Sequence, residues 1–332
     1  MSDFEPSFLA KDKILDAYQR ISQYLMKTPV HISTTVDGIV KKKVFFKCEN
    51  FQKTGSFKAR GALNAVLRKI SQSENIQNYT GIVTHSSGNH GTALSWACQT
   101  QAIPCTVVVP KDTPLNKIES IKTYGATLEI CEPNPRSRVE VADRLAAENR
   151  LLLVKPYDDY DIMAGQGTVA VEFLEQIPDL DAILVSVSGG GLISGISTYA
   201  KSINPSIRIF AVEPVGKRLC QCLEKNKRNL DDKEPAFLNT KAEGIKTEMC
   251  GELTFPIISR HILPDDVFTV TDDDMIEATK FIFKRMKMVI ELSAGAAVAA
   301  VLSDKMKNNY PSLKNIGVIL CGGNIDIDNL PW

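Results

Sequence analysis

Short β-branched runs alternate with segments of helical period over much of the chain. One series begins at Gly81 with the strand-like run GIVTH and ends with LLLVKP at Pro156. A second series begins at Asp181 with DAILVSV, and its last strand-like run, GVIL, ends at Leu320. Strands that alternate with covering helices usually pair in parallel. The pattern therefore predicts an α/β protein with mostly parallel sheets.

The two series predict two lobes. We expect residues 1–80 and 159–332 to form a large ligand-binding lobe, and residues 81–158 to form a small lobe that closes over a substrate. A chain of 332 residues can bury a sizeable core, and its length fits two lobes. A cleft between them can close and expel water. The polar, weakly periodic stretch 224–247 is typical of a surface excursion.

Composition and charge exclude several classes of function. Lysine plus arginine and aspartate plus glutamate both number 39, so no net charge attracts nucleic acid or an anionic membrane. The chain has 8 cysteines and 4 histidines, and its closest cysteine pair, Cys220 and Cys222, lacks a zinc-site spacing. The chain also lacks a signal-like start and an apolar run of membrane-spanning length. We therefore expect a cytoplasmic protein with reduced thiols.

Three glycine-containing loops follow predicted strands, at 86–91 (SSGNHG), 188–191 (SGGG) and 321–324 (CGGN). In open α/β sheets, ligands bind at the carboxyl ends of the strands. Loop 188–191 opens a predicted helix, so backbone N–H groups and the helix dipole converge there on an anion. Glycines at such a junction can also serve only to permit a tight turn. Three in succession, however, favour a phosphate-binding loop, which we call the phosphate cradle.

Lys58 lies in the turn KTGSFK, immediately before a predicted helix over Ala59–Ile70. Taken alone, such a lysine is most simply a solvated surface residue. A partly desolvated lysine amine, however, can condense with an aldehyde cofactor as a Schiff base. A lysine amine and a phosphate cradle are the two anchors that pyridoxal phosphate requires.

Two alternatives come from other classes of protein. Gly189, Gly191 and Gly195 open a predicted helix, and Glu213 ends the next strand, as in a nicotinamide-dependent dehydrogenase. A single glycine fingerprint is a weak signal, and this interpretation leaves Lys58 without a task. The other alternative is a catalytically silent amino-acid sensor, which does not need Lys58 either.

Six motifs, in order over nearly the whole chain, resemble those of the serine racemase and serine/threonine dehydratase family: FFKCENFQKTGSFKARGALNA, VTHSSGNHGTAL, AGQGTVAVE, SGGGLISGI, AVEP and ILCGGN. The resemblance implies a fold-type II (tryptophan synthase β-like) pyridoxal-phosphate enzyme, with an open, mostly parallel sheet in each lobe and a homodimeric assembly. It also implies elimination of water from L-serine or L-threonine to give a 2-oxo acid and ammonia, with serine racemization through the same carbanion. A dedicated serine racemase with elimination as a side reaction is the alternative.

The resemblance also assigns the cofactor-binding residues. Lys58 is the Schiff-base lysine, Phe57 packs on the cofactor ring and Asn89 bonds the ring hydroxyl. The phosphate is held by Ser188, Gly189, Gly190, Gly191 and Leu192. Cys321 meets the pyridine nitrogen, where a neutral thiol does not hold the ring protonated as a carboxylate would, so loss of the β-hydroxyl can compete. The simpler interpretation of Cys321 alone is a small buried residue.

Ser87 decides whether racemization accompanies elimination. By the resemblance, Ser87 lies on the ring face opposite Lys58, where a hydroxyl can move a proton. Its alternative role is to cap the helix that begins near Gly88. Against racemization, the segment Lys155–Asp159 resembles dehydratases more than animal racemases.

The predicted substrate contacts lie at the start of a helix, which favours a carboxylate. They are Ser86, Ser87, Asn89 and His90. The resemblance adds Arg138 and Thr247, although such residues are more often a surface arginine and a loop hydroxyl.

The resemblance also implies a divalent-cation site that this chain does not match fully. Activated relatives use an acid at the position of Glu213, a carbonyl about four residues later and an aspartate two residues beyond that. Leu219 stands where the aspartate is expected, after Lys217 and Arg218. Because Mg²⁺ and Ca²⁺ require six or more oxygen ligands, the sequence predicts a weak or absent metal site at Glu213.

Overall fold

The computed structural model describes residues 8–72 and 79–332, and this part of the chain forms thirteen α-helices and ten strands. The helices are α1 (Lys11–Ile21), α2 (Thr34–Val40), α3 (Lys58–Gln72), α4 (Asn89–Thr100), α5 (Leu115–Lys122), α6 (Pro135–Glu148), α7 (Tyr160–Gln176), α8 (Gly191–Ile203), α9 (Leu219–Glu224), α10 (Thr254–His261), α11 (Asp272–Met286), α12 (Leu292–Leu302) and α13 (Asp304–Asn309). The strands are β1 (Val30–Ile32), β2 (Lys43–Cys48), β3 (Gly81–His85), β4 (Cys105–Pro110), β5 (Thr127–Cys131), β6 (Leu151–Leu153), β7 (Ala182–Ser186), β8 (Arg208–Pro214), β9 (Val267–Val270) and β10 (Asn315–Leu320).

The strands form two separate sheets. The larger sheet has the order β1-β2-β10-β7-β8-β9, and its only antiparallel pair among the described residues is β1 with β2. The smaller sheet, β5-β4-β3-β6, is parallel throughout. The predicted α/β class with mostly parallel sheets is therefore confirmed. The smaller sheet lies within the range 81–158 that we expected for the small lobe.

Each sheet has its own hydrophobic core. Phe46, Ile183 and Phe210 are fully buried in the core of the larger sheet, while Leu94 and Val107 are fully buried in that of the smaller sheet. Strands buried on both faces have continuous apolar runs, which explains why the sequence pattern located them. Helix α3 packs against both α7 and α4, so it joins the two cores, and Lys58 is its first residue.

The stretch 224–247 departs in part from the predicted surface excursion. It has no strand, and its only regular structure among the described residues is the last residue of α9 and a short 3₁₀ turn at Glu243–Ile245. Ala242 and Ile245 are nevertheless buried, so this polar segment contributes to the core at two positions. Among the described residues, no helix is both long and apolar enough to cross a membrane.

A buried ion network fixes the first turn of α3. Arg60 is 1% exposed; its Nε lies 2.7 Å from Oε2 of Glu49, and one of its terminal nitrogens lies 2.8 Å from Oε1 of Glu172. Lys47 Nζ lies 2.7 Å from the other oxygen of Glu172 and donates to the carbonyl of Thr28 at 2.8 Å. The network connects α3 to β2, to the turn after β2 and to α7.

Replacing Arg60 tests how much this network stabilises the fold. Arg60→Met leaves two buried carboxylates without their shared cation, so the free energy of unfolding in urea should fall by about 3–5 kcal/mol. Arg136→Met is the matched control, because Arg136 pairs with Glu140 on the exposed face of α6. It should change the free energy by less than about 1 kcal/mol. Equal effects of the two variants would contradict the stabilising role of the network.

Candidate cofactor site

The site begins at Lys58. Its Nζ donates a hydrogen bond to the carbonyl of Pro156 at 2.7 Å and lies 5.2 Å from the ring centroid of Phe57. Burial lowers the pKa of Lys58 to about 8, and nearby Cys321 and Glu291 oppose that shift. An amine with a lowered pKa has a larger neutral fraction, which is the nucleophilic form.

Cys321 lies directly after β10, within electrostatic range of this amine. Its carbonyl accepts a hydrogen bond from the N–H of Phe57 at 3.1 Å, so the end of β10 fixes the turn that carries Lys58. The residue is 4% exposed, and burial, together with the charge of Glu291, raises the pKa of the thiol well above its usual value. Cys321 therefore presents a neutral thiol, as the sequence predicts.

The loop from Ser188 to Leu192 lies between β7 and α8. Gly190 has a φ of 98°, a left-handed conformation that favours glycine. A Cβ on Gly189 would lie 2.3 Å from the ring of Tyr157, so no side chain fits there. The first hydrogen bond of α8 runs from the Ser194 N–H to the Gly190 carbonyl at 3.0 Å, so the N–H groups of residues 191–193 have no acceptor within the helix and can bind an anion.

Residues just before α10 and at its start donate hydrogen bonds to the carbonyl groups of this loop. The carbonyl of Gly189 accepts hydrogen bonds from the Thr254 hydroxyl at 2.6 Å and from the N–H of Gly251 at 3.0 Å. The carbonyl of Ser188 accepts a weak bond from the Cys250 thiol at 3.9 Å. The carbonyl groups are therefore turned toward the protein.

Asn89 is held by two residues for which the sequence did not predict a role. Its Nδ2 lies 3.0 Å from both carboxylate oxygens of Glu291, and its Oδ1 accepts from Asn324 Nδ2 at 2.9 Å. Burial raises the pKa of Glu291 to about 7, and the Asn89 hydrogen bond opposes this. The available signal was a single acid in the apolar run MVIELSAGA, just before α12. Asn324 belongs to the CGGN motif, but its side chain had no predicted task.

The serine loop between β3 and α4 carries the predicted substrate residues. Gly88 precedes α4 as its N-cap, and no side chain caps this helix, so the alternative role for Ser87 is not supported. Ser86 and Ser87 are half-buried, and their hydroxyl groups have no hydrogen-bond partner within residues 8–72 and 79–332. His90 is 2% exposed, and burial lowers its pKa well below the usual value, with a further contribution from Lys58.

Arg138 and Thr247 both contact Phe237. The Arg138 guanidinium lies 4.9 Å from the Phe237 ring centroid, and its buried Nε has no hydrogen-bond partner in the described chain. Thr247 pairs with Phe237 through an antiparallel bridge. Its carbonyl accepts from Lys217 Nζ at 2.8 Å, so the observed polar contact of Thr247 is through its backbone.

These residues fit pyridoxal phosphate. The structure brings together a buried amine of lowered pKa, a neutral thiol, and a glycine loop with no room for a side chain at Gly189. Lys58 would hold the aldehyde carbon, and the loop beginning at Ser188 would hold the phosphate. The predicted cofactor residues therefore lie in one region, although their individual roles stay predictions.

The residues around Glu213 do not fit a divalent cation. Oε2 of Glu213 accepts the N–H of Leu219 at 2.6 Å, and Oε1 accepts the Thr269 hydroxyl at 3.1 Å. Leu219 is apolar and 2% exposed. The described residues contain no group of three or more acidic, histidine or cysteine side chains that could hold a metal ion.

Comparison with known proteins decides the family. Residues 21–322 match the family model described as pyridoxal-phosphate dependent enzyme. The chain belongs to this family. The serine racemase of Dictyostelium discoideum is 41% identical over 322 residues, which cover 96% of this chain and 95% of the relative.

Solved structures agree with this membership. A crystal structure of a pyridoxal 5'-phosphate-dependent aspartate racemase has a TM-score of 0.94 and 48% identity, covering 98% of this chain and 99% of that one. A crystal structure of a threonine deaminase has a TM-score of 0.85 and 34% identity, covering 96% of this chain and 99% of that one. The cofactor of this pyridoxal-phosphate-dependent enzyme and its fold type are thereby confirmed, and the nicotinamide-dependent alternative is not supported.

The raised pKa of Glu291 predicts a pH-dependent stability. The carboxyl pKa rises from 4.5 to about 7 on folding, so its stabilising contribution is present below pH 4.5 and is lost as the pH rises through 7. Glu291→Gln does not titrate. Between pH 4.5 and 8, the free energy of unfolding of the wild type should therefore fall by roughly 3 kcal/mol relative to the variant.

Urea unfolding at a series of pH values measures this difference. Glu277→Gln is the control, because Glu277 is exposed and Lys280 lowers its pKa, so it should show no such change over that range. If the free energies of unfolding of the wild type and Glu291→Gln changed in parallel with pH, the raised pKa of Glu291 would be contradicted.

Proposed function

We propose that this enzyme eliminates water from L-serine, L-threonine or both, giving a 2-oxo acid and ammonia, and that it also racemizes serine. The observation that carries this proposal is the neutral Cys321 thiol together with the buried Lys58 amine, on backbones joined by the hydrogen bond from Phe57 to Cys321. Relatives named serine racemase and threonine deaminase support both activities. The alternative is a dedicated serine racemase, in which elimination is a side reaction.

Each residue contributes a distinct step. Bound pyridoxal phosphate supplies an electron sink for the pair left at Cα when its proton departs. Lys58, with its lowered pKa, takes that proton on one face. Cys321 offers the pyridine nitrogen a neutral partner, which favours departure of the β-hydroxyl. Ser87 offers an unpartnered hydroxyl that can donate or accept a proton on the opposite face.

Closure over the substrate, dimerisation and location belong to the same proposal. Residues 81–158 form the lobe that closes, and two contacts between the segment after α9 and the small lobe support this: Glu243 pairs with Lys117, and Phe237 stacks with Arg138. The enzyme acts as a cytoplasmic homodimer on a small amino acid. Sedimentation at several concentrations tests the dimer, and fractionation of cells tests the location.

Product analysis tests the proposed reactions. Holoenzyme incubated with L-serine should release pyruvate, ammonia and D-serine, and L-threonine should give 2-oxobutanoate. Lys58→Ala should lose the visible absorbance and essentially all turnover, because the covalent anchor and the proton-transferring amine disappear together. Lys53→Ala, at an exposed lysine in the same turn, should keep both. Retained colour and pyruvate formation in Lys58→Ala would contradict the proposal.

Ser87→Ala separates the two outcomes of proton removal. D-serine formation from L-serine should fall by about 10²-fold or more, because racemization needs a proton donor on the second face. Pyruvate formation from L-serine should remain substantial, while pyruvate formation from D-serine should fall. Ser86→Ala removes the neighbouring hydroxyl and should change both products in similar proportion. Equal losses of both activities in Ser87→Ala would indicate a binding role instead.

L-aspartate is a second candidate substrate, suggested by unpaired cations near the serine loop. Neither Arg138 nor Lys246 forms an ion pair within the described chain, and both lie about 5 Å from the Phe237 ring. Burial lowers the pKa of His85, which directly precedes the serine loop, and the charges of Arg138 and Lys155 lower it further. Such cations can bind a second carboxylate. Adding L-aspartate to the same assay tests this, with D-aspartate as the product and a larger loss for aspartate than for serine in Arg138→Leu.

A further inference from the structure

Lys217 is a buried cation whose contacts are with backbone carbonyls. The residue is 4% exposed, and its Nζ donates to the carbonyls of Thr247 at 2.8 Å and Glu248 at 3.2 Å. It lies in the turn between β8 and α9, where Gly216 has a φ of 96°. Oxygen atoms that converge on a buried positive charge resemble the surroundings of a bound cation.

Glu213, near the end of β8, carries a carboxylate within electrostatic range of this charge. Burial raises the pKa of Glu213, and the Leu219 N–H, the Thr269 hydroxyl and the Lys217 ammonium oppose this rise. Both carboxylate oxygens already accept hydrogen bonds, and the neighbouring Leu219 side chain offers no oxygen. The charge of Glu213 is therefore balanced by groups of this chain.

The carbonyls that Lys217 binds begin a segment that reaches the phosphate cradle. Three residues after Glu248, Gly251 donates to the carbonyl of Gly189, and Thr254 donates to the same carbonyl. Lys217 therefore binds one end of the segment 247–254 to the turn after β8. The other end of the segment hydrogen-bonds to the cradle. A change at Lys217 can therefore reach the phosphate-binding loop through eight consecutive residues.

We propose that the Lys217 ammonium is a tethered replacement for a divalent cation, and that it positions the segment 247–254 and the phosphate cradle without added metal. An ammonium supplies three donors and one compact charge on a flexible stem. It needs no carboxylate at Leu219. The proposal rests on the cofactor family and not on the identity of the substrate, so it stands if serine and threonine turnover is not found.

Wild-type holoenzyme provides the first test, which needs no variant. Its melting temperature and its Kd for pyridoxal phosphate should not shift beyond replicate error when EDTA, MgCl2 or CaCl2 is added. A ligand that binds the folded state raises its stability in proportion to the logarithm of the ligand concentration above Kd. A lower melting temperature in EDTA, restored by Mg²⁺ or Ca²⁺, would overturn the proposal.

Substitutions at Lys217 provide the second test. Lys217→Met keeps the stem but leaves buried carbonyls unpaired, so the Kd for pyridoxal phosphate should rise roughly tenfold and the melting temperature should fall. Lys217→Arg should recover part of both. Lys225→Met, at an exposed lysine after α9, is the matched control and should change neither. Identical behaviour of Lys217→Met and Lys225→Met would overturn the proposal.

A double variant tests the replacement directly. Lys217→Ala combined with Leu219→Asp removes the ammonium and restores an oxygen ligand beside Glu213. Its melting temperature should rise with Mg²⁺ or Ca²⁺ and fall with EDTA, unlike that of the wild type. A double variant that ignores these ions while the wild type responds to them would reverse the inference.

Discussion

Arg60 is bound on two sides by the buried carboxylates of Glu49 and Glu172, and this network holds the first turn of α3 between β2 and α7. Removing so many charges from water is costly, and only close pairing with hydrogen bonds offsets the cost. An apolar cluster of the same volume could stabilise the fold as well, but it would not offer the same directional hydrogen bonds. Lys58 lies two residues before Arg60, so the network holds the backbone of the helical turn that carries the reactive amine.

The same exclusion of water explains the unusual protonation states in the site. Burial is the first cause of the lowered pKa of Lys58 and of the raised pKa values of Glu291 and Cys321. In each case the uncharged form gains, so the amine can act as a base and the thiol stays neutral beside it. A phosphate at the loop before α8 would meet different surroundings, because backbone N–H groups there carry partial charge without a proton to lose. The proposed covalent chemistry and the proposed anion binding would therefore use one buried region.

Local patterns predicted most of the strands and the glycine-containing loops after them, since each depends on neighbouring residues. The run GIVTH became β3 and the run DAILVSV contains β7. The Lys58 turn and the Ser188 loop both approach the segment Pro156–Tyr157. The partners of Asn89 were not predicted, because Glu291 is 202 residues away along the chain. No local period shows that α4 and the start of α12 meet. The contacts that orient the predicted residues were therefore the part that the sequence alone could not supply.

The polar segment after α9 makes contacts with several parts of the fold that its sequence pattern does not reveal. Over residues 224–247 the pattern predicts only surface, yet this segment and its continuation to Thr254 contact α5, α6, the turn after β8 and the loop that begins at Ser188. The contacts are Phe237 with Arg138, Glu243 with Lys117, Thr247 and Glu248 with Lys217, and Gly251 and Thr254 with Gly189. Because these contacts share one continuous backbone, the proposed closing lobe, which contains α5 and α6, and the proposed phosphate loop contact the same segment. If residues 81–158 close over a substrate as proposed, that movement acts on the segment that also contacts Gly189, and Lys217 binds this segment between its two ends.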